Sequence, residues 1–312
     1  MYNISIIGYG YWGKKLARNF QNSSYFEILS IVDKKKFNLT NAKKNFSSVE
    51  CYSNYKKAVK NDLVDLIVIS TPTSTHYDIA KYALENSKNV LVEKPLSLSI
   101  KQVNKLNKIA KSKKRMIFVD YPFLFSGTIN FIKKIISQNK YGKILEIESF
   151  REQAPIRNDT NVIWDLSTHD ISILTYLLNQ QPISIQTIKK ENIKRGLCDN
   201  VYINLKYRQN LNVVIKNSWI SPTKIRLIKI KFRKAILYCD ENESLYKIKI
   251  YKKKNKNDTF DYSLEVPEID LTEPLSKMTT YIYNCMKKNK NPLFEDDFNK
   301  RITFTLEKIN RN

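Results

Sequence analysis

Short apolar runs alternating with amphipathic stretches open the chain. Ile4–Gly8 is apolar and rich in β-branched residues, Gly13–Asn22 has helical spacing, and Phe26–Asp33 reads as a second strand. The alternation continues with a helix at Thr40–Phe46, a strand at Val49–Tyr52 and a helix at Tyr55–Lys60. Leu63–Ser70 has the apolar character of a parallel strand buried on both faces. A helix at His76–Asn86, a strand at Asn89–Glu93, a helix at Ile100–Lys113 and a strand at Met116–Asp120 complete the series. Such a succession predicts βαβ units and a doubly wound parallel sheet.

Beyond Asp120 the rhythm changes. Helices are expected at Gly127–Asn139 and Asp165–Leu178, among two-periodic runs at Ile144–Arg151, Val201–Tyr207, Val213–Ser218, Ile225–Phe232, Ala235–Asp240 and Leu245–Tyr251. Strands in succession with short polar links predict an open, mainly antiparallel sheet carrying a few helices. Lys252–Asp258 reads as a charged loop, and helices at Pro274–Lys288 and Asp296–Asn310 close the chain. The predicted class is α/β: a Rossmann-type domain over residues 1–120, then an α+β domain over 121–312. Val213, Ile215, Ile225 and Leu227 are assigned to the open sheet face. A second subunit is expected to cover that face, giving a homodimer or homotetramer.

Composition narrows the function. At 312 residues and 42% hydrophobic content the chain can bury a full core. No segment approaches the ~20 apolar residues of a membrane span, and the sequence begins directly with a strand, so a cytoplasmic location is expected. The four cysteines lack CxxC spacing, and two histidines are too few for a multi-histidine metal centre, so no metal site is expected. The net charge of +24 comes from lysine runs spread along the whole chain, without an aromatic-interleaved basic motif. A field that draws in an anionic small molecule fits that spread better than nucleic-acid binding does.

Gly8-Tyr9-Gly10-Tyr11-Trp12-Gly13 matches G-x-G-x-x-G between a strand and a helix, and Asp33 ends the next strand. Gly8 allows the tight turn, Gly10 lets backbone approach a pyrophosphate, and Gly13 lets the helix pack against the strand. The diphosphate of a dinucleotide then meets the N-terminus of a helix, where unpaired N–H groups and the dipole favour negative charge. Asp33 is suited to the adenosine ribose hydroxyls and repels a 2′-phosphate, so NAD is preferred over NADP.

Two further motifs carry a resemblance. Glu93-Lys94-Pro95 follows the strand Asn89–Val92, and Trp164-Asp165-Leu166-Ser167-Thr168-His169-Asp170 opens the large helix of the second half. With Ser70-Thr71-Pro72 and His76, the chain resembles the Gfo/Idh/MocA family of sugar oxidoreductases along nearly all of its length. Gly10–Lys14, Val162–Asp165 and Ser218–Pro222 are closer in wording to its UDP-N-acetylglucosamine 3-dehydrogenase-like branch. The resemblance implies that Lys94 and His169 face the substrate carbon, with Asp165 close by. It implies cofactor contacts from Gly8, Gly10, Tyr11, Trp12, Gly13, Asp33, Ser70, Thr71, Pro72, His76, Glu93 and Lys94. The implied reaction exchanges a hydride between NAD and a ring carbon of a sugar, C3 of a UDP-N-acetylhexosamine or its uronate. Another sugar or a polyol of the inositol type is the alternative, and a dinucleotide-binding protein without catalysis a further one.

For the substrate, Arg151 and Arg157 offer guanidinium forks suited to a diphosphate, and Tyr121, Asn161, Trp164 and Trp219 are candidate contacts. The chain also departs from the family pattern. Asp120 stands where the family usually has glycine, and Gln209-Asn210 and Phe232-Arg233-Lys234 occupy turns that tend to contain one. Asn tolerates left-handed backbone, so the first of these turns is the easier to accommodate.

Overall fold

In the computed structural model, which describes residues 1–254, 261–292 and 296–312, the first apolar runs pair as a parallel sheet. Its strands are β1 (Tyr2–Ile7), β2 (Phe26–Val32), β3 (Glu50–Tyr52), β4 (Leu66–Ile69), β5 (Asn89–Glu93) and β6 (Ile117–Asp120), in the order β3-β2-β1-β4-β5-β6. Helices α1 (Tyr11–Gln21), α2 (Lys36–Asn45), α3 (Tyr55–Val59), α4 (His76–Glu85) and α5 (Ile100–Lys113) connect them. All four β4 residues are wholly buried, as an interior parallel strand requires. Leu63, expected in that strand, is 68% exposed and precedes it. The strand order reverses between β1 and β4, and their last residues Ile7 and Ile69 lie side by side. A crevice at such a switch point is where open α/β sheets bind ligands.

The second half begins with α6 (Gly127–Ser137) and β7 (Ile144–Glu152). A π-turn (Ile163–Ser167) runs straight into α7 (Thr168–Leu178), so the single helix expected from Asp165 starts two residues earlier, with a wider turn. Then follow β8 (Ser184–Lys190), β9 (Asn200–Tyr207), β10 (Leu211–Ser218), β11 (Ile225–Phe232), β12 (Ala235–Asp240), β13 (Ile248–Lys253) and β14 (Tyr262–Glu265). Helices α8 (Pro274–Lys288) and α9 (Asp296–Arg311) end the chain. The sheet order is β14-β13-β12-β11-β7-β10-β9-β8, antiparallel except for the β7–β10 pair. The charged loop expected at Lys252–Asp258 starts with the end of β13; residues 255–258 lie outside the described part.

Register shows which face of this sheet is covered. Leu205, Val213, Ile147, Ile230, Leu237 and Ile250 form one row across six strands, and none is more than 0% exposed. Val213 and Ile215 therefore belong to the covered face, against expectation. Leu227 lies on the opposite face, paired with Phe150. The period-2 pattern was right, but residues from different strands share a face only when the register says so.

The chain divides into two compact units: Met1–Pro122 with Glu273–Phe304, and Phe123–Thr272 with Thr305–Asn312. Glu273–Phe304, from the C-terminal end of the chain, belongs to the first unit. Aromatic packing explains the placement: Tyr283 of α8 stacks on Tyr25 at 4.0 Å and meets Tyr2 edge-on at 6.1 Å. Gln209 and Asn210 both take left-handed backbone (φ 58° and 60°), whereas Arg233 and Lys234 do not. Only the first glycine-poor turn thus demands the conformation glycine favours. Among the described residues, no helix is long and apolar enough to cross a membrane.

Candidate active site

The glycine turn lies between β1 and α1. Gly8 has φ +95°, and a Cβ there would sit 2.6 Å from the Ser70 carbonyl oxygen. A Cβ on Gly13 would sit 2.0 Å from the Gly8 carbonyl oxygen, so helix and strand touch through bare backbone. Around Gly10 nothing lies within 4 Å of that position. That open side suits a pyrophosphate approaching the N-terminus of α1. A cavity of about 550 Å³ begins here, and Gly8, Gly10, Asp33, Ser70, Thr71 and Pro72 are in its wall.

Asp33 is held in place by three donors: the Tyr9 and Lys35 N–H groups, each at 2.8 Å, and the Asn38 amide at 3.0 Å. A carboxylate has about four acceptor sites, so capacity remains for a ribose hydroxyl. Asn38, which shares the cavity wall, was missed; five residues beyond Asp33 on a polar helix, it had no distinguishing pattern. Ser70 donates to the Gly8 carbonyl at 2.7 Å and so joins the β1 and β4 ends. Tyr11 is 78% exposed beneath the Lys15 ammonium, which also lies 5.0 Å from the Trp12 ring.

Glu93 ends β5, and Lys94 follows it, 6% exposed. His76 is fully buried, its ring nitrogens 2.9 Å from the Pro95 carbonyl and 2.8 Å from the Thr71 carbonyl. It fastens the two segments on which Thr71 and Lys94 stand. Tyr121, expected against the substrate, is 1% exposed and gives its hydroxyl to Asn299 at 3.2 Å; burial pushes its pKa up. Asp120, which sequence reading treated only as an irregularity, accepts the Trp12 indole N–H. Burial pushes its pKa up to about 6, while Trp12 and the charge of Lys94 pull it down.

In the second unit, the π-turn and α7 carry the other candidates. The Asn161 side-chain oxygen Oδ1 caps the turn, accepting from Ile163 N–H at 3.1 Å and Trp164 N–H at 3.2 Å, and its side-chain NH2 donates to Asn310 Oδ1 at 2.8 Å. Trp164 is 7% exposed. The Asp165 carboxylate receives the Trp219 indole N–H at 3.0 Å and Arg157 at 3.4 Å, while Arg157 also pairs with Asp159 at 2.8 Å. The His169 ring is half-buried and packs edge-on against Phe123 at 5.1 Å.

Asp170, the next residue, is 1% exposed and accepts from Ser149 at 2.8 Å, Asn217 at 2.7 Å and Arg151 at 3.3 Å. Arg151, expected to grip a diphosphate, is 3% exposed, lies over the Phe123 ring at 4.4 Å and spends its guanidinium on Asp170. The β7 register places it between Asn217 and Arg226 on the covered face, which is why it turns inward. Burial and the neighbouring Arg151 lower the pKa of Arg226 to about 10.

A parallel sheet with a glycine turn and an acidic residue at its switch point defines the first unit as a dinucleotide-binding domain. Residues 2–121 match the family described as "Oxidoreductase family, NAD-binding Rossmann fold", and residues 129–238 match the GFO/IDH/MocA C-terminal domain. The chain belongs to the Gfo/Idh/MocA family of oxidoreductases. It is 28% identical over 176 residues to the uncharacterized oxidoreductase YdgJ of Escherichia coli, covering 53% of this chain and 50% of that one. To myo-inositol 2-dehydrogenase of Thermotoga maritima it is 23% identical over 227 residues, covering 69% and 68%. The match to YdgJ thus spans about half of that relative's length. Among solved structures, UDP-N-acetylglucosamine 3-dehydrogenase GnnA of Acidithiobacillus ferrooxidans shares the fold, with a TM-score of 0.86 at 16% identity over 98% of this chain and 96% of that one.

Proposed function

We propose that this protein is an NAD-dependent dehydrogenase of a sugar ring hydroxyl, acting on C3 of a UDP-N-acetylhexosamine or its uronate to give a keto sugar. The observation that carries the reading is the cleft at Gly8, Gly10 and Asp33, open where a pyrophosphate must lie and acidic where a ribose must be held. Gly8, Gly10, Tyr11, Trp12 and Gly13 would hold the diphosphate, Asp33 the ribose, and Ser70, Thr71, Pro72, Glu93 and Lys94 the nicotinamide side. The nicotinamide ring supplies the hydride acceptor. Asp33 favours NAD over NADP by charge.

Lys94 holds the hydroxyl oxygen and stabilises alkoxide character as the C–H bond breaks. His169 takes the hydroxyl proton, a task suited to imidazole near neutral pH. Asp165, itself held by Trp219 and Arg157, favours the charged imidazole. Arg157 is the remaining guanidinium candidate for the substrate diphosphate, with Asn161 and Trp164 shaping the segment behind it. A homodimer or homotetramer forms through the uncovered sheet face, where Ile188 and Leu264 are 63% and 56% exposed, and the enzyme works in the cytoplasm.

The test is incubation with NAD and a panel of UDP-sugars, following NADH absorbance. Tight NAD binding without turnover of any sugar would sink the enzyme reading in favour of a binding protein. A second reading, dehydrogenation of an inositol-type polyol, is favoured by the similarity to the Thermotoga enzyme, and turnover of polyols but not UDP-sugars would select it.

A further inference from the structure

The cavity at the glycine turn extends past Asp33. Strand order carries its wall outward, from Gly8 after β1 to Asp33 after β2 and Ser53 after β3. The Asp33 N–H donates to the Tyr52 carbonyl at 3.1 Å, which sets Ser53 beside it. Tyr55, at the start of α3, and Thr75, Asp78 and Ile79, where α4 begins, complete that end of the wall. The Tyr55 ring meets Tyr82 of α4 edge-on at 5.7 Å, and Tyr82 stands one helical turn after Asp78 on the same face. The two helices thus bring Tyr55 and Asp78 to one end of the cleft. Ile79 is buried there and Asp78 is exposed. Among the described residues, no hydrogen bond or ion pair takes up the Asp78 carboxylate. The chain has 54 Lys and Arg against 30 Asp and Glu, so an acid without a cation stands out from its surroundings. An acid in the first turn of a helix gains a little from the dipole. That accounts for its charge, not for its place in the wall of a cleft for an anionic dinucleotide.

We propose that Asp78 selects the base of the dinucleotide: its carboxylate accepts from the N6 amine of adenine, while Tyr55 and Ile79 give the ring an apolar wall. The inference rests on the dinucleotide reading above. With the diphosphate at Gly10 and the adenosine ribose at Asp33, the base continues in the same direction, towards Ser53 and Tyr55. Beyond the ribose, adenosine has one N–H donor group, the N6 amine, and its ring nitrogens are acceptors. An ionised carboxylate only accepts, so the amine is the group that Asp78 can take. An oxygen in that position, as in hypoxanthine, turns a lone pair towards the carboxylate and is rejected. Two acids thus divide the nucleoside, Asp33 holding the sugar and Asp78 the base.

The experiment is calorimetric titration of the whole chain with NADH and with reduced nicotinamide hypoxanthine dinucleotide, for wild type, Asp78→Ala and Asp78→Asn. Wild type is expected to bind NADH roughly tenfold more tightly than the hypoxanthine form, the worth of one hydrogen bond to a charged group. Asp78→Ala should bind both alike, its affinity for NADH falling towards that for the analogue. Asp78→Asn should also lose the preference, because its amide can turn an N–H to the hypoxanthine oxygen. Equal binding of the two dinucleotides by wild type overturns the proposal. So does a variant that keeps the wild-type ratio: a purely structural role for Asp78 lowers both affinities by one factor and leaves their ratio unchanged. Either result leaves the dinucleotide reading standing. Absence of NADH binding by wild type overturns both, and is seen before any variant is compared. Circular dichroism monitors folding, and if Asp78→Ala does not fold, the ratio in Asp78→Asn decides.

Discussion

Replacing Asp120 by asparagine should make the protein more stable at neutral and alkaline pH. The carboxyl titrates at about 6 in the fold against an ordinary value of 3.8. That difference of about two units corresponds to a penalty of about 3 kcal/mol for holding the charge in the folded state. The sign follows from proton uptake. Above pH 6 both folded and unfolded chains carry the charge, and the full penalty applies. Between about 6 and 4 the folded chain binds a proton that the unfolded chain does not, so the penalty fades as pH falls. Below that range it is gone. Asparagine carries no charge at any pH and still offers an oxygen to the Trp12 N–H. Guanidinium unfolding of the ligand-free protein at pH 8, 6 and 4.5 should therefore show Asp120→Asn ahead by about 3 kcal/mol at pH 8, with the lead shrinking to about 1 kcal/mol at pH 4.5. A difference that does not change with pH, or a variant less stable than wild type at pH 8, would refute the reasoning.

Asp170→Ala should act in the opposite direction, destabilising by about 3–5 kcal/mol in the same assay, because it strands the buried Arg151 guanidinium. Gln209→Gly relieves a left-handed non-glycine residue at φ 58° and should raise stability by up to about 1 kcal/mol. Asp33→Ala should weaken NADH binding by roughly tenfold, read by fluorescence titration, and narrow the preference over NADPH. Lys94→Ala and His169→Ala should each lower the turnover rate on the order of a hundredfold or more while NAD affinity is retained; unchanged rates would remove both from the chemistry.

Much of the fold was legible because strands such as β5 and β11 have an apolar centre or a largely alternating run, and their predicted bounds match those observed. β8 was missed because it is an edge strand with most of its residues exposed, so alternation hardly marks it. β14, a four-residue edge strand, is too short to declare itself. The placement of α8 depends on Tyr25 stacking on Tyr283, a contact between distant parts of the chain that no local pattern reports. The same limit applied to the site. The glycine turn and Asp33 stand close in the sequence, and Gly8, Gly10 and Asp33 line one cavity. Trp12 and Asp120, 108 residues apart, carry no linear sign of their bond. Arg151 looked like a displayed guanidinium until register put it beside Asn217 and opposite Asp170.

Asp170 is the immediate neighbour of His169, and its bonds reach two strands of the sheet. Successive residues on a helix are about 100° apart in azimuth, so anchoring one fixes the compass bearing of the other. The imidazole cannot be swung aside by rolling α7 without tearing out a buried ion pair. The ring at the helix entrance therefore stays on the heading the sheet assigned to it.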